Sequence, residues 1–232
     1  MRHPIFYRVI RRAGNPLNAT FHTVYKNSAT RLGCSIAFGY SWSKNVPAAA
    51  IGWYVSMLPE TFQTARLILR PIALEDVGPI FDSYAQDAAV TRFVIWRPHR
   101  GRSDTETYVA QCIAAPPDIA RTYVLIDRND AGLRGVFALR QAAPHRLDVG
   151  YLTARPWWGQ GLMTEVLTEV VDWAMGQPSV FRIGAFCDVD NVASARVMEK
   201  CGLVREGLLR RWLMHPNISD EPRDCFSYAR VR

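Results

Sequence analysis

Asp148-Val-Gly-Tyr-Leu-Thr-Ala-Arg-Pro-Trp-Trp-Gly-Gln-Gly-Leu-Met-Thr-Glu165 is the most informative stretch of this 232-residue chain. Leu147 to Thr153 reads as a strand, and Pro156 ends it because proline cannot donate to a ladder. Gly159 and Gly161 then open a helix whose apolar stripe is Leu162, Val166, Leu167, Val170, Val171 and Ala174. Such a turn leaves several backbone N–H groups unpaired and aimed at one point, with the positive helix end behind them. That makes an anion site suited to a pyrophosphate. Glycine matters there because a phosphate must approach the backbone with no Cβ in the way. Two glycines before a helix also occur for geometry alone, so this turn does not decide the matter by itself.

Outward from this stretch the pattern stays regular. Downstream, Val180 to Cys187 reads as a strand and Val192 to Cys201 as a helix ended by Gly202. Leu203 onward reads as a strand, and Cys225 to Val231 as the last one. Upstream, Arg66 to Pro71 alternates like a strand and Leu74 to Ala89 has helical spacing. Ser103, with Glu106 three residues on, predicts a capping box for a second helix that must stop before Pro116-Pro117. Tyr123 to Ile126 and Val136 to Leu139 read as strands joined by the turn Asn129 to Gly132. Strands and helices mixed in this way predict an α/β sheet with helices on both faces.

The chain resembles the GNAT acetyltransferases, specifically the ribosomal-protein N-terminal acetyltransferases of RimJ/RimL type. Trp158-Gly-Gln-Gly-Leu-Met163 falls on that superfamily's pyrophosphate loop, Q/R-x-x-G-x-G/A, with Trp158 replacing Gln or Arg and Met163 the small final residue. Asn191-Val-Ala-Ser194, then Glu199-Lys-Cys-Gly-Leu-Val-Arg-Glu-Gly207, looks like the branch's N-x-x-S and E-K-x-G-F-x-x-E-G. Thr64 to Pro71, Ile80-Phe81 and Val90 to Phe93 match the opening segment, so the likeness runs from about Glu60 to the C-terminus. It implies a GNAT fold: a mixed twisted sheet of about seven strands flanked by helices. It also implies acetyl-CoA as co-substrate. The coenzyme's phosphates would meet the N–H groups of Gly159, Gln160, Gly161, Leu162 and Met163, beside Trp158. Its pantetheine arm would lie along Leu152 and Thr153 and against Asn191. Ser194 would lie near the sulfur, able to protonate the departing thiolate. From residues alone, Asn191 could equally be a helix N-cap and Ser194 an ordinary first-turn serine.

Direct acetyl transfer needs a neutral amine, so a general base or a water chain to one must take the ammonium proton. Asp148 is the candidate, standing where the family often carries Glu and reaching the amine through a water. The alternative is a solvent-facing strand residue or a partner for Arg146. A second carboxylate used by some members falls on Leu213, which cannot serve. The N–H of Leu152 or Thr153 could polarise the thioester carbonyl. Trp96, Trp157, Trp158 and Trp212 are candidates for an acceptor pocket or for core packing. Glu165 reads as a favourable charge in a helix's first turn. Arg97, Arg100 and Arg102 form a basic loop, solvated or facing an acidic acceptor.

Composition narrows the classes. The hydrophobic share of 49% and charged share of 21% are those of a globular chain. The net charge of +7 is local. Arg2, Arg8, Arg11, Arg12, Lys26, Arg31 and Lys44 lie in residues 1–58, which hold no Asp or Glu. Setting those seven aside leaves 21 basic residues against 21 acidic ones. A basic pI therefore does not point to nucleic-acid binding by the catalytic domain. Residues 1–58 form a basic extension without clear periodicity, expected to be unstructured, and residues 59–232 the acetyltransferase domain. The simplest origin of the extension is a start codon upstream of a true start at Met57; a transit peptide is the alternative. The apolar run from residue 46 to 55 is about half a membrane span. The five cysteines lack C-x-x-C spacing and the five histidines lack ligand spacing, so reduced thiols in a cytoplasmic protein and no metal are expected. The expected activity is acetylation of a primary amine, either a protein N-terminus or a small molecule (antibiotic, polyamine or amino acid). The protein would be a monomer or homodimer with no membrane partner. A non-catalytic acetyl-CoA sensor is the reading from another class.

Overall fold

The computed structural model describes residues 58–232. The expectations for the N-terminal extension lie outside the described residues except at Leu58, which is buried in the core. Eight strands form one sheet: β1 (Phe62–Gln63), β2 (Leu67–Pro71), β3 (Ala120–Asp127), β4 (Leu133–Ala143), β5 (Arg146–Thr153), β6 (Arg182–Asp188), β7 (Val204–Leu213) and β8 (Arg223–Val231). Their spatial order is β1-β2-β3-β4-β5-β6-β8-β7. Every neighbouring pair is antiparallel except β5 and β6, which are parallel. The crossover between those two is the helix α3 (Leu162–Gly176), as a parallel connection requires.

Two apolar layers sandwich the sheet. On one face α3 and α4 (Val192–Lys200) cover Leu69, Tyr123, Phe137, Leu147, Val149 and Ile183. On the other, α1 (Val77–Ile80, continued by a π-turn over Phe81–Ala85) and α2 (Arg102–Ile113) cover Ile72, Val124, Val136 and Leu152. Strand alternation assigns the residues: Leu147 and Val149 go to the α3 face, Leu152 to the α1–α2 face. The predicted stripe on α3 is buried throughout, along with Met163. Each such Leu or Val contributes on the order of 1.5–3 kcal/mol. That outweighs the roughly 1 kcal/mol a missing cap costs, so packing can hold α3 in place while its N-terminus stays uncapped.

Three local expectations change. The sheet has eight strands, because Phe62–Gln63 adds a two-residue edge that no periodicity could reveal. The capping box at Ser103 is not formed. Gly101 is the N-cap with no side-chain bond, Ser103 lies inside the first turn, and Asp104 Oδ2 instead accepts from the Arg100 N–H at 2.8 Å. The helix expected over Leu74 to Ala89 is broken into 3-10, α and π turns ending at Ala85. No helix among the described residues is long and apolar enough to cross a membrane.

Candidate active site

β5 and β6 pair at only three positions, from Arg146 opposite Arg182 to Asp148 opposite Gly184. Beyond them β5 runs on to Thr153 against β4, and β6 runs on to Asp188 against β8. The two inner edges therefore part after Asp148 and leave an opening in the middle of the sheet. Ala154 N–H donates to the Arg134 carbonyl on β4 at 2.8 Å. Backbone groups alternate along a strand, so Leu152 also turns its amide to β4, while Tyr151 and Thr153 present theirs to the opening. The Thr153 carbonyl accepts the Trp158 indole N–H at 2.7 Å, which fastens Trp158 to the end of β5.

Asp148 sits at the vertex, where the strands separate, and is 6% exposed. By alternation it faces the side covered by α1 and α2, opposite Arg140 of β4 and 3.5 Å from Arg146 Nε. Burial pushes its carboxyl above the usual range, against the opposing pull of Arg146, Arg140 and Arg182. Leu213 is buried, at the end of β7.

At the C-terminal end of β5, a 3-10 turn over Arg155–Trp157 leads into Gly159 and Gly161, both at φ +74°. That left-handed backbone is the reason for glycine, since a Cβ at Gly159 would meet nothing within 4 Å. Gly161 is the N-cap of α3, and no side-chain oxygen caps the first turn. The uncapped turn keeps its N–H groups available to an anion. Glu165 could oppose this as a nearby negative charge, but it is held by Arg66. Arg66 Nε meets Glu165 Oε2 at 2.6 Å, its backbone N–H meets Oε1 at 2.8 Å, and its Nη1 meets the Gln160 carbonyl at 3.0 Å. Against the upward push of partial burial, hydrogen bonds from Thr64 and Arg66 keep the Glu165 carboxyl below its ordinary range. The sequence pattern does not show this clamp, because its partners lie 99 residues apart.

On the far lip, Asn191 is the N-cap of α4, its Oδ1 accepting from the Ser194 N–H at 3.2 Å. The turn before it is fixed by Asp188, which is buried and bound by Arg223 at 2.5 and 3.0 Å; Arg223 also reaches Asp190 at 2.6 Å. Burial alone would raise the Asp188 carboxyl, and the Arg223 guanidinium holds it below the usual range. Ser194 Oγ lies 3.0 Å from the Tyr151 hydroxyl. In the sequence Tyr151 looks like one more strand aromatic.

The four tryptophans have different surroundings. Trp96 lines a cavity of about 270 Å³ with His99, Asp104 and Tyr108. Trp212 packs on Phe186 at 5.4 Å. Trp157 lies under the Arg134 guanidinium at 3.6 Å, and Trp158 is half exposed. In the basic loop, Arg102 pairs with Asp82 at 3.0 Å and Arg97 lies 3.9 Å from Asp220. Cys187, Cys201 and Cys225 are buried free thiols. Among the described residues no group of three or more His, Cys, Asp or Glu could hold a metal ion.

The chain is similar to known proteins. Residues 66–204 match the acetyltransferase (GNAT) domain family. The chain is 31% identical over 181 residues to the uncharacterized N-acetyltransferase YoaA of Bacillus subtilis (strain 168), covering 73% of this chain and 97% of that one. In fold it is similar to RimL, a ribosomal L7/L12 alpha-N-protein acetyltransferase solved with coenzyme A. That likeness has a TM-score of 0.64 at 21% identity and covers 75% of this chain and 97% of the other. It is also similar to MccE, a microcin C7 self-immunity acetyltransferase solved with acetyl-CoA and AMP. There the TM-score is 0.66 at 20% identity, over 77% of this chain and 99% of that one. With the family match spanning more than half of its length, the chain belongs to the GNAT acetyltransferases and is an acyltransferase.

Proposed function

We propose that the protein transfers an acetyl group from acetyl-CoA directly to a primary amine, with a protein N-terminal amine as the first-choice acceptor. The observation that carries this is the opening between β5 and β6, with the uncapped glycine turn at one end of it. The residues fit such a co-substrate. A pantetheine arm needs exposed strand amides, and Tyr151 and Thr153 offer theirs. A pyrophosphate needs convergent N–H groups, and the turn from Gly159 through Gln160, Gly161 and Leu162 to Met163 offers them, flanked by Trp158. Leu152 lines the pantetheine path through its side chain, and Asn191 through the amide edge that its cap leaves free.

Bound acetyl-CoA supplies an activated acetyl group. Asp148 takes the ammonium proton through a water, its burial raising its basicity towards that task. The Thr153 N–H polarises the carbonyl under attack. Ser194 Oγ–H serves the departing sulfur. Domain 59–232 carries out this chemistry in the cytoplasm, without a metal, as a monomer or homodimer. The likeness to RimL supports a protein acceptor, and that to MccE a small one. Free-thiol release from acetyl-CoA by the full chain, offered N-terminal peptides, polyamines, amino acids and aminoglycosides in separate reactions, tests the reading. Release that depends on one acceptor class supports transfer and names the class. Coenzyme binding with no release from any acceptor refutes transfer and leaves a sensor.

A further inference from the structure

Tyr151 and Ser194 stand on opposite sides of the opening, one on β5 and the other on α4, which follows β6. The Tyr151 ring is fixed by stacking on Phe137, with centroids 6.2 Å apart and planes 9° from parallel. Its hydroxyl lies 3.0 Å from Ser194 Oγ and 3.4 Å from the Ser194 backbone carbonyl. The carbonyl can only accept, so the single phenol hydrogen turns towards Ser194, while across the 3.0 Å contact either hydroxyl can donate. Ser194 has one hydroxyl hydrogen and two lone pairs. With Tyr151 donating to Oγ, the serine hydrogen is turned elsewhere, away from the phenol.

We infer that Tyr151 is a positioning residue: by donating to Ser194 Oγ it presents the serine hydrogen to the sulfur of the coenzyme. This rests on the proposed place of Ser194 beside that sulfur. When the carbon–sulfur bond breaks, its electron pair stays on sulfur. Ser194 O–H hydrogen-bonds that sulfur, and the Tyr151 bond to Oγ makes the serine a stronger donor. No proton leaves Tyr151; the one that finally neutralises sulfur is the one given up by the amine.

The surroundings leave this pair as the polar feature of the site. The other ionisable groups around the phenol are Cys187 on β6, Cys201 after α4, and Tyr228 on β8, whose hydroxyl donates to Glu199 at 3.0 Å. Burial pushes the Cys187 thiol and the Tyr228 phenol up to about 12, and raises the Cys201 thiol as well. The Tyr151 phenol is pushed well above its ordinary value by burial. None of these thiols and phenols ionises near neutral pH, so a thiolate forming there on bound coenzyme A is the coenzyme's own.

The test is the titration of the coenzyme A thiol bound to the full chain, followed by thiolate absorbance. It is run for wild type, Tyr151→Phe, Ser194→Ala and the double variant, with coenzyme affinity measured alongside. Losing one hydrogen bond of ordinary strength predicts an acid dissociation constant about two- to tenfold lower in Tyr151→Phe, with coenzyme affinity little changed. Ser194→Ala should lower it at least as far, and the double variant no further than Ser194→Ala. A Tyr151→Phe titration that superimposes on wild type overturns the inference, as do independent, multiplying effects in the double variant. If Tyr151→Phe does not fold, Ser194→Ala must shift the titration alone, and its failure to do so overturns the inference. Wild-type protein that binds no coenzyme A overturns the acetyltransferase reading and this inference together.

Discussion

Replacing Gly135 on β4 by alanine should damage the opening without substituting any residue that lines it. Gly135 lies opposite Thr153. A Cβ built on it would stand 2.3 Å from the Leu152 carbonyl oxygen, 2.9 Å from Thr153 Cα and 3.2 Å from the Leu152 carbonyl carbon. Carbon and oxygen normally approach to about 3.3 Å, so the overlap is roughly 1 Å. All three obstacles are backbone, and alanine has no rotamer with which to avoid them, so β4 and β5 must separate. Overpacking of this kind costs typically about 1–3 kcal/mol, and a clash with backbone alone belongs at the upper end, about 3 kcal/mol. Gly159→Ala is the control, since its Cβ would enter open space and only the φ of +74° opposes it. That penalty is about 1–2 kcal/mol. Urea unfolding of the two variants measures both costs, and coenzyme A affinity reports on the displaced Thr153. A Gly135→Ala protein within about 0.5 kcal/mol of wild type, with unchanged coenzyme affinity, would refute the claim that this close approach frames the site.

Three further outcomes follow from the charges. Asp148 has a folded-state pKa above its unfolded one. The folded chain therefore holds that proton more tightly, and its contribution to stability grows as pH falls through the folded value towards the unfolded one, about 3.9. Asp148→Asn should thus be no less stable than wild type at neutral pH, with the difference fading in acid. As the proposed base, Asp148 should give kcat/KM an acid limb above the ordinary aspartate range, and Asp148→Asn should lose about 10²–10⁴-fold; a pH–rate profile of both proteins checks this. Arg66→Ala should cost about 1 kcal/mol in stability, since the arginine is exposed and the ion pair only partly covered. It should nevertheless weaken coenzyme A binding by freeing the Glu165 charge beside the glycine turn, and adding Glu165→Gln should restore part of the affinity. Calorimetry on the three proteins measures it.

Much of the architecture was readable because it is periodic. The α3 stripe, the strand before the glycine turn, and the paired glycines are local patterns, and the structure has each of them. What could not be read is non-local or too short. The two-residue β1 has no period. β7 carries register shifts between Arg205 and Gly207 and between Leu209 and Leu213, which break its alternation. The Arg66–Glu165 clamp and the Tyr151–Ser194 bond join residues 99 and 43 positions apart, and nothing in either local pattern foretells the other partner. The Ser103 capping box failed because Gly101 already supplied an extended N-cap two residues earlier. Asn191 is the N-cap that its residue type allowed, through its Oδ1.

The central claim is that the opening between β5 and β6, and the turn at its end, hold the coenzyme. Amide hydrogen exchange of the full chain with and without coenzyme A tests it most directly, because the proposed donors are backbone N–H groups. Protection should rise at Tyr151 and Thr153 and from Gly159 to Met163, with little change on β1 to β3. Binding that leaves those amides exchanging as before, or that protects a different part of the sheet, would contradict the account.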